Sequence, residues 1–354
     1  MRTASSLLDQ AWRHRTRTRV GGEVLVVVLL AVFLASTSAK SYEVVDTGVL
    51  ARNEVYWIDN ARVLFPGYRN PLSPGDRSSS NSVLYVWNLG ARALRVHAEI
   101  PDGDYICYAN GYVSYAVRKD GKRYVREGMF GGETRREWVP PAPLSKIERN
   151  QFTCKDIDLS AADKVYPGFL FIPLRDGDGY FGWQRRQASA EAANSPLFFL
   201  PTGKGSNPIA LSIQASQKRR ITYSAYKGAY VIERSELARK DSDSAPGGRA
   251  WLLFPTGKTA EIQIPDGPWL RATWGYAPTR KGWVLSSRAT GRRSDFDVGD
   301  AGIYLVNGNV AQRLIVGFPG APAVSPDGCK VAATINPLTG PGLNATLRII
   351  DFCK

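Results

Sequence analysis

The chain has 354 residues, with 46 Lys and Arg against 32 Asp and Glu, 44% hydrophobic and 22% charged side chains, four Cys and two His. That much apolar surface excludes a disordered or collagen-like chain, which could not offset its conformational entropy. His14 stands in an N-terminal leader, so the remainder owns only His97. A Ser-His-Asp triad would have to run through that residue, and a multi-histidine metal site within one chain is excluded.

The leader comes first in the chain. Arg2, Arg13, Arg15, Arg17 and Arg19 face only Asp9 and Glu23, and Val24 to Ala35 is then an unbroken apolar run of 12, followed by Ser36-Thr-Ser-Ala39. A basic region, a short apolar region and a small-residue end describe an export signal. A helix of that length reaches about 18 Å, short of the roughly 30 Å hydrocarbon core. The basic segment is long for a cleaved signal, so residues 1–39 are expected to be a signal peptide or an N-terminal membrane anchor, with membrane association through residues 24–39. Either way the positive-inside bias sends the rest of the chain across the membrane. The expected location is the periplasm or cell envelope, with the protein secreted or held at the inner membrane. Without the leader, 41 basic residues still face 30 acidic ones, so residues 40–354 are basic in their own right.

Beyond Lys40, short runs of Val, Ile, Tyr, Trp and Phe alternate with Gly, Asp, Asn and Pro, and helical periodicity is scarce. One unit recurs in chain order, a strand, a tight polar turn and a second strand: 57–65, 107–115, 175–183, 224–232, 278–286 and 324–332. Aligned on the turn, these six copies place residues 61, 111, 179, 228, 282 and 328 in register, and five of the six are Gly. Glycine suits a tight turn because it accepts positive φ. Further hairpin signals follow most copies, at Leu84–Asn88, Leu197–Gly203, Trp251–Gly257 and Ile303–Gly308. An interval of about 50 residues holds four short strands, one propeller blade. Residues 40–354 are thus expected to form an all-β, six-bladed β-propeller behind an N-terminal hydrophobic helix, with seven blades or an irregular pair of β-sandwiches as alternatives. The longer interval between 111 and 179 is ascribed to an insert near 184–196. The last copy lacks an outer strand, and residues 41–50 are spare. They are expected to pair into the last blade and close the ring.

The four cysteines, Cys107, Cys154, Cys329 and Cys353, form no CxxC pair and suit disulfides in an oxidising compartment. A hairpin of 330–336 with 345–352 around Gly340-Pro341-Gly342 would set Cys329 opposite Cys353, near the roughly 5.5 Å Cα separation that a bridge needs. Cys107 with Cys154 follows by elimination.

Val324-Ser-Pro-Asp-Gly-Cys-Lys-Val-Ala-Ala333 resembles the Ser-Pro-Asp-Gly turn and following strand of TolB-like and WD40-like propeller repeats. Asp59-Asn60 and Asp178-Gly179 match it in part. The resemblance implies a β-propeller, with a periplasmic setting. TolB carries an α/β domain ahead of its propeller that would not fit between residue 40 and the first repeat here, so that family's partners are not carried over.

Candidate chemistry is thin. Asp295, Asp297 and Asp300, and Asp176 with Asp178, are oxygen sets that could hold Ca²⁺, but neither has EF-hand spacing. No other cofactor is expected. There is no Gly-x-Ser-x-Gly elbow. His97 alternates within a strand pattern and reads as structural. Asn344-Ala345-Thr346 matches a glycosylation sequon without further support. Basic residues cluster as Arg118, Arg123 and Arg126, Arg185-Arg186, Lys218-Arg219-Arg220, and Arg292-Arg293. Placed on rim loops, they would attract an envelope protein or an anionic surface ligand, and export disfavours nucleic acid. The expected function is a non-catalytic envelope binding or scaffold module. The alternatives are a metal-dependent sugar or lactone hydrolase or lyase, with carboxylates among Asp59, Asp102, Asp176, Asp178, Asp295, Asp297 and Asp300 converging on the propeller axis, and a purely structural part of a larger envelope assembly.

Overall fold

The computed structural model describes residues 42–52, 54–71, 82–100, 106–139, 150–155, 166, 168–175, 177–184, 195–203, 206–214, 218–234, 249–265, 273–287, 301–337 and 345–354. Regular structure among them is entirely β, and no helix there is long and apolar enough to cross a membrane. The expected signal or anchor lies outside the described residues.

The strands run as follows. β1 (Glu43–Leu50) comes first. A sheet of β2 (Tyr56–Trp57), β3 (Arg62–Tyr68), β4 (Ser82–Asn88) and β5 (Ala93–Glu99) follows. The second sheet is β6 (Ile106–Ala109), β7 (Tyr112–Lys119), β8 (Lys122–Met129) and β9 (Thr134–Trp138). The third is β10 (Phe169–Pro173), β11 (Tyr180–Gln184), β12 (Pro196–Leu200) and β13 (Ile209–Gln214). The fourth is β14 (Lys218–Ser224), β15 (Ala229–Arg234), β16 (Arg249–Leu253) and β17 (Thr259–Gln263). The fifth is β18 (Thr273–Thr279), β19 (Gly282–Ser287), β20 (Gly302–Asn307) and β21 (Val310–Val316). In the last, β22 (Phe318–Pro319) and β23 (Ala323–Val324) share one edge of β24 (Lys330–Asn336), which pairs with β25 (Thr346–Asp351). The outer place beside β25 is taken by β1.

Each four-stranded sheet is a meander of neighbouring antiparallel strands, the arrangement that short strands and tight turns favour. Neighbouring sheets in chain order share buried side chains, except for the second and third. Among the described residues, those two are linked through the Cys107–Cys154 bridge, the Asn150–Pro173 hydrogen bond and the Arg175–Asn110 hydrogen bond. Leu64, Leu84 and Val86 of the first meet Val113, Tyr115 and Val117 of the second. Phe181, Leu197 and Phe199 of the third meet Tyr230, Ile232 and Trp251 of the fourth. Val231 and Leu252 of the fourth meet Leu285, Tyr304 and Val306 of the fifth, whose strands β18–β20 touch β22 and β23. Trp57, Phe65 and Tyr85 of the first sheet finally bury against Ala332, Leu347 and Ile349 of the last. A succession of sheets whose last member packs on its first is a propeller.

Closure has its own fastenings. Thr47 Oγ1 donates to the Leu347 carbonyl at 2.8 Å, Arg348 pairs with Asp46 at 2.8 Å, and Ala51 N–H reaches the Ala345 carbonyl at 2.8 Å. Trp57 Nε1 donates to the Ala323 carbonyl at 2.8 Å. Cys329 and Cys353, just beyond the paired ends of β24 and β25, are bridged with Cα atoms 5.4 Å apart. The register, with Lys330 opposite Asp351, sets Cys329 opposite Phe352, so the bridge is formed one residue away from the direct opposition expected. Cys107 is bridged to Cys154, and no described cysteine is free.

The site of the extra residues differs from expectation. Residues 184–196 fall after Gly179 and join β11 to β12, whereas the added length before Gly179 is the connection 139–168 between β9 and β10. The chain leaves one sheet at Trp138 and starts the next only at Phe169, with Cys154 anchored to Cys107 on the way. The remainder of the 184–196 segment, 185–194, lies outside the described residues.

Candidate functional site

The first strand of a propeller sheet has a partner on one side only, so its other edge must meet solvent or a ligand. Here those edges meet a common opening of about 690 Å³. Its wall is built from Tyr56 and Trp57 of β2, Tyr108 of β6, Thr222 and Tyr223 of β14, Tyr276 and Ala277 of β18, and Ala323 and Val324 of β23. The third sheet contributes differently. Arg175, just past β10, lines the opening, and Gln151 and Phe152 from the disulfide-held segment 150–155 complete the wall. Asn150 fixes that segment, its Nδ2 donating to the Pro173 carbonyl at 2.5 Å and its Oδ1 accepting Phe152 N–H at 2.7 Å.

The two ends of the opening are unlike. At one end lie the turns that join first to second strands, and these hold each other. Ser325 Oγ donates to Asp327 Oδ1 at 2.5 Å, and Cys329 N–H donates to the same oxygen at 3.0 Å. Asp327 N–H donates to Asn60 Oδ1 of the first sheet at 3.0 Å, and Arg280 Nε of the fifth sheet donates to the Asp327 carbonyl at 2.7 Å. Arg175 Nη2 donates to Asn110 Oδ1 at 2.7 Å while its guanidinium lies 4.1 Å over the Tyr223 ring. Tyr230 Oη donates to Asp178 Oδ2 at 2.7 Å and accepts Arg175 N–H at 2.8 Å. Burial, and then the Asp178 hydrogen bond, pushes the Tyr230 phenol far above its usual value. Burial opposes ionisation of Asp327, yet the Ser325 hydroxyl, Cys329 N–H, Lys330 and Arg280 outweigh it and hold the carboxyl below the ordinary range. Asp59 behaves alike, burial being outweighed by Ala61 N–H and Arg62.

The opposite end of the sheets carries part of the basic set, of which, among the described residues, only Arg220 reaches the wall of the opening. Arg118 and Arg123 flank the β7–β8 turn, and Arg220 lies near the start of β14, directly opposite buried Glu233 in the register and in the wall of the opening. Glu233 Oε1 accepts Tyr276 N–H from the next sheet at 3.1 Å, so the two sheets are tied there. These cations sit in strand ends rather than in loops, because strands β7, β8 and β14 extend further than the apolar pattern suggests. Arg126 is apart from them, mid-strand in β8 and paired with Glu137 at 2.5 Å. Lys218 and Arg219 contribute backbone to the start of β14, and their side chains lie outside the described residues, as do Arg185, Arg186, Arg292 and Arg293. The segments holding those four arginines leave the described chain at Gln184, which ends β11, and at Ser287, which ends β19.

Of the carboxylates considered for an axial metal, Asp59 caps its own turn through Arg62, and Asp178 is bound to Tyr230. Asp102, Asp176, Asp295, Asp297 and Asp300 lie outside the described residues. No group of three metal-ligating side chains occurs among the described residues. His97 is in β5, the outer strand of the first sheet, its ring stacked on Phe130 at 5.0 Å and edge-on to Tyr115 at 5.5 Å. Burial and nearby Arg95 lower its basicity, and the ring acts as a packing group between two sheets.

The class of protein so defined is a β-propeller with a lined central opening. No protein-family model matches the sequence, and no curated protein does. Among solved structures, the chain is similar to the Cps50 (Swd1) β-propeller domain of Myceliophteria thermophila (10% identity, 87% of this chain and 98% of that one, TM-score 0.48). It is similar also to TolB from Acinetobacter baumannii (9% identity, TM-score 0.39), covering 84% of this chain but only 65% of TolB. The WD40 propeller domain of Doa1 is a further likeness, at 8% identity over 88% of this chain and 97% of that one, with TM-score 0.38.

Proposed function

We propose that the chain is a six-bladed propeller acting as a non-catalytic binding or scaffold module of the cell envelope, with residues 1–39 as its signal or anchor. A seventh blade would have to be built from residues outside the described ones. The module recognises a protein partner or an anionic surface ligand at the end of the sheets where Arg118, Arg123 and Arg220 lie. One observation carries this reading: those three cations, from two separate sheets, share the end away from the interlocked turns. An end richer in cations than in carboxylates attracts acidic partners and speeds their encounter. His97, the residue through which a Ser-His-Asp triad would have to run, packs against Phe130 and Tyr115.

The test compares the full chain with its Arg118→Glu/Arg123→Glu variant, each recovered by affinity tag from crosslinked envelopes at low and at moderate salt. The expected result is a defined partner that the native chain retains at low salt and the variant does not. Recovery of the same proteins by both, or of none above background, overturns the reading. A phosphatase reporter fused after residue 52 reports location: activity means export, and inactivity removes the envelope assignment.

A further inference from the structure

Between the second and third sheets, at the turn end of the molecule, lies a smaller cavity of about 230 Å³ that shares Ala109, Asn110, Phe152 and Arg175 with the wall of the central opening. Four separate chain segments build it. Asn110 and Tyr112 come from the β6–β7 turn and Arg135 from outer strand β9. Thr153 and Lys155 come from the disulfide-held segment, and Arg175 from the turn after β10. The charged groups in its wall are Arg135, Lys155 and Arg175, and no carboxylate lines it among the described residues. Three cations lining one concavity give it a positive potential that favours an anion.

We propose that this cavity is a binding site for a compact oxyanion, a phosphate or carboxylate group either free or at the end of a larger molecule. Its size admits such a group and falls below the range of ordinary small-molecule pockets, about 300–1,000 Å³. Arg175 is held ready for an anion, since its bond to Asn110 and its place over Tyr223 fix the guanidinium plane before any ligand arrives. A planar fork held in place recognises oxyanions with little ordering cost. Tyr112, Asn110 and Thr153 add neutral hydrogen-bonding groups to the wall. Arg175 also lines the central opening, so an anion bound here fixes the floor of that opening. The site is at the other end of the second sheet from Arg118 and Arg123, and it stands whether or not those residues bind a partner.

The purified full chain is titrated with inorganic phosphate and, separately, with succinate, at ionic strength held constant with chloride, following binding by calorimetry and stability by thermal unfolding. A true site gives saturable binding and a stabilisation that grows with the logarithm of ligand concentration. Non-specific stabilisation by excluded anions does not saturate and ignores the sequence of the cavity. Arg135→Ser and Lys155→Ser, both at exposed positions, are each expected to weaken binding about tenfold, the loss of one charge-assisted contact. Lys258→Ser, at an exposed position in the β16–β17 turn, leaves it unchanged. The tighter of the two anions identifies the group recognised. Absence of saturable binding by both anions, or equal binding by the Arg135→Ser/Lys155→Ser double variant with an unaltered circular dichroism spectrum, overturns the proposal.

Discussion

Tyr230 shows how one side chain links core and site. Its ring is fully buried between the third and fourth sheets, while its hydroxyl binds Asp178 and the Arg175 N–H at the edge of the opening. Tyr230→Phe keeps the packing and strands two polar partners, so a loss of about 1–3 kcal/mol is expected, read as a lower urea midpoint at unchanged slope. Asp327 makes a prediction in pH. Its folded-state pKa lies below the unfolded value of about 3.9, so its contribution is complete above that value and is lost as pH falls through the folded one. Urea midpoints measured from about pH 5 to pH 2 should therefore decline more steeply for the native chain than for Asp327→Asn. Parallel curves would remove Asp327 from the acid response.

Turns and bridges act at the scale of elements. Gly228 and Gly328 hold equivalent turn positions with φ of 57° and 76°, yet their surroundings differ. A Cβ at Gly228 meets nothing within 4 Å, whereas one at Gly328 falls 2.6 Å from the Tyr226 ring. Gly228→Ala thus costs only the left-handed strain, about 1–2 kcal/mol, and Gly328→Ala costs more because Tyr226 must also shift. Equal unfolding midpoints for the two variants would show that the Tyr226 contact has no weight. The Cys329–Cys353 bridge closes a span of 24 residues, and its removal by paired Ser substitution is expected to cost about 3 kcal/mol. The turns were legible in the sequence because positive φ narrows the choice of residue: Gly111, Gly179, Gly228, Gly282 and Gly328 all adopt it. The short inner strands were not. β2, β22 and β23 have two residues each and pair along one edge, leaving no periodicity to read. The opening was equally hidden, since its wall takes Phe152 from a connection and sets Arg175 over Tyr223 from another sheet. Basic runs could be counted in the sequence, but only strand direction separates Arg118 and Arg123 at one end from Arg135 and Arg175 at the other.

The whole molecule depends on a strand borrowed from far away in sequence. β1 alternates between half-buried and exposed positions, with Val45 and Val49 against the core shared by first and last sheets. Deleting residues 42–50 uncovers the β25 edge and part of that core, and free edges invite association. Such a truncation is expected to self-associate in size-exclusion chromatography and to unfold at lower urea. A monomer of native stability would mean that β1 contributes nothing to closure. This long-range pairing was legible from a simple shortage, the final repeat having one strand too few and the stretch after Lys40 one to spare. Which solvent-facing end serves recognition was not, since that depends on how all the sheets are oriented together. A consequence for biosynthesis follows from the position of β1. The ribosome makes β1 before every other described strand and its neighbour β25 after all of them, so the earliest strand waits unpaired while five intervening sheets form. A stalled or clipped product lacking β25 is therefore an unfinished circle with two raw edges, open to proteases at both.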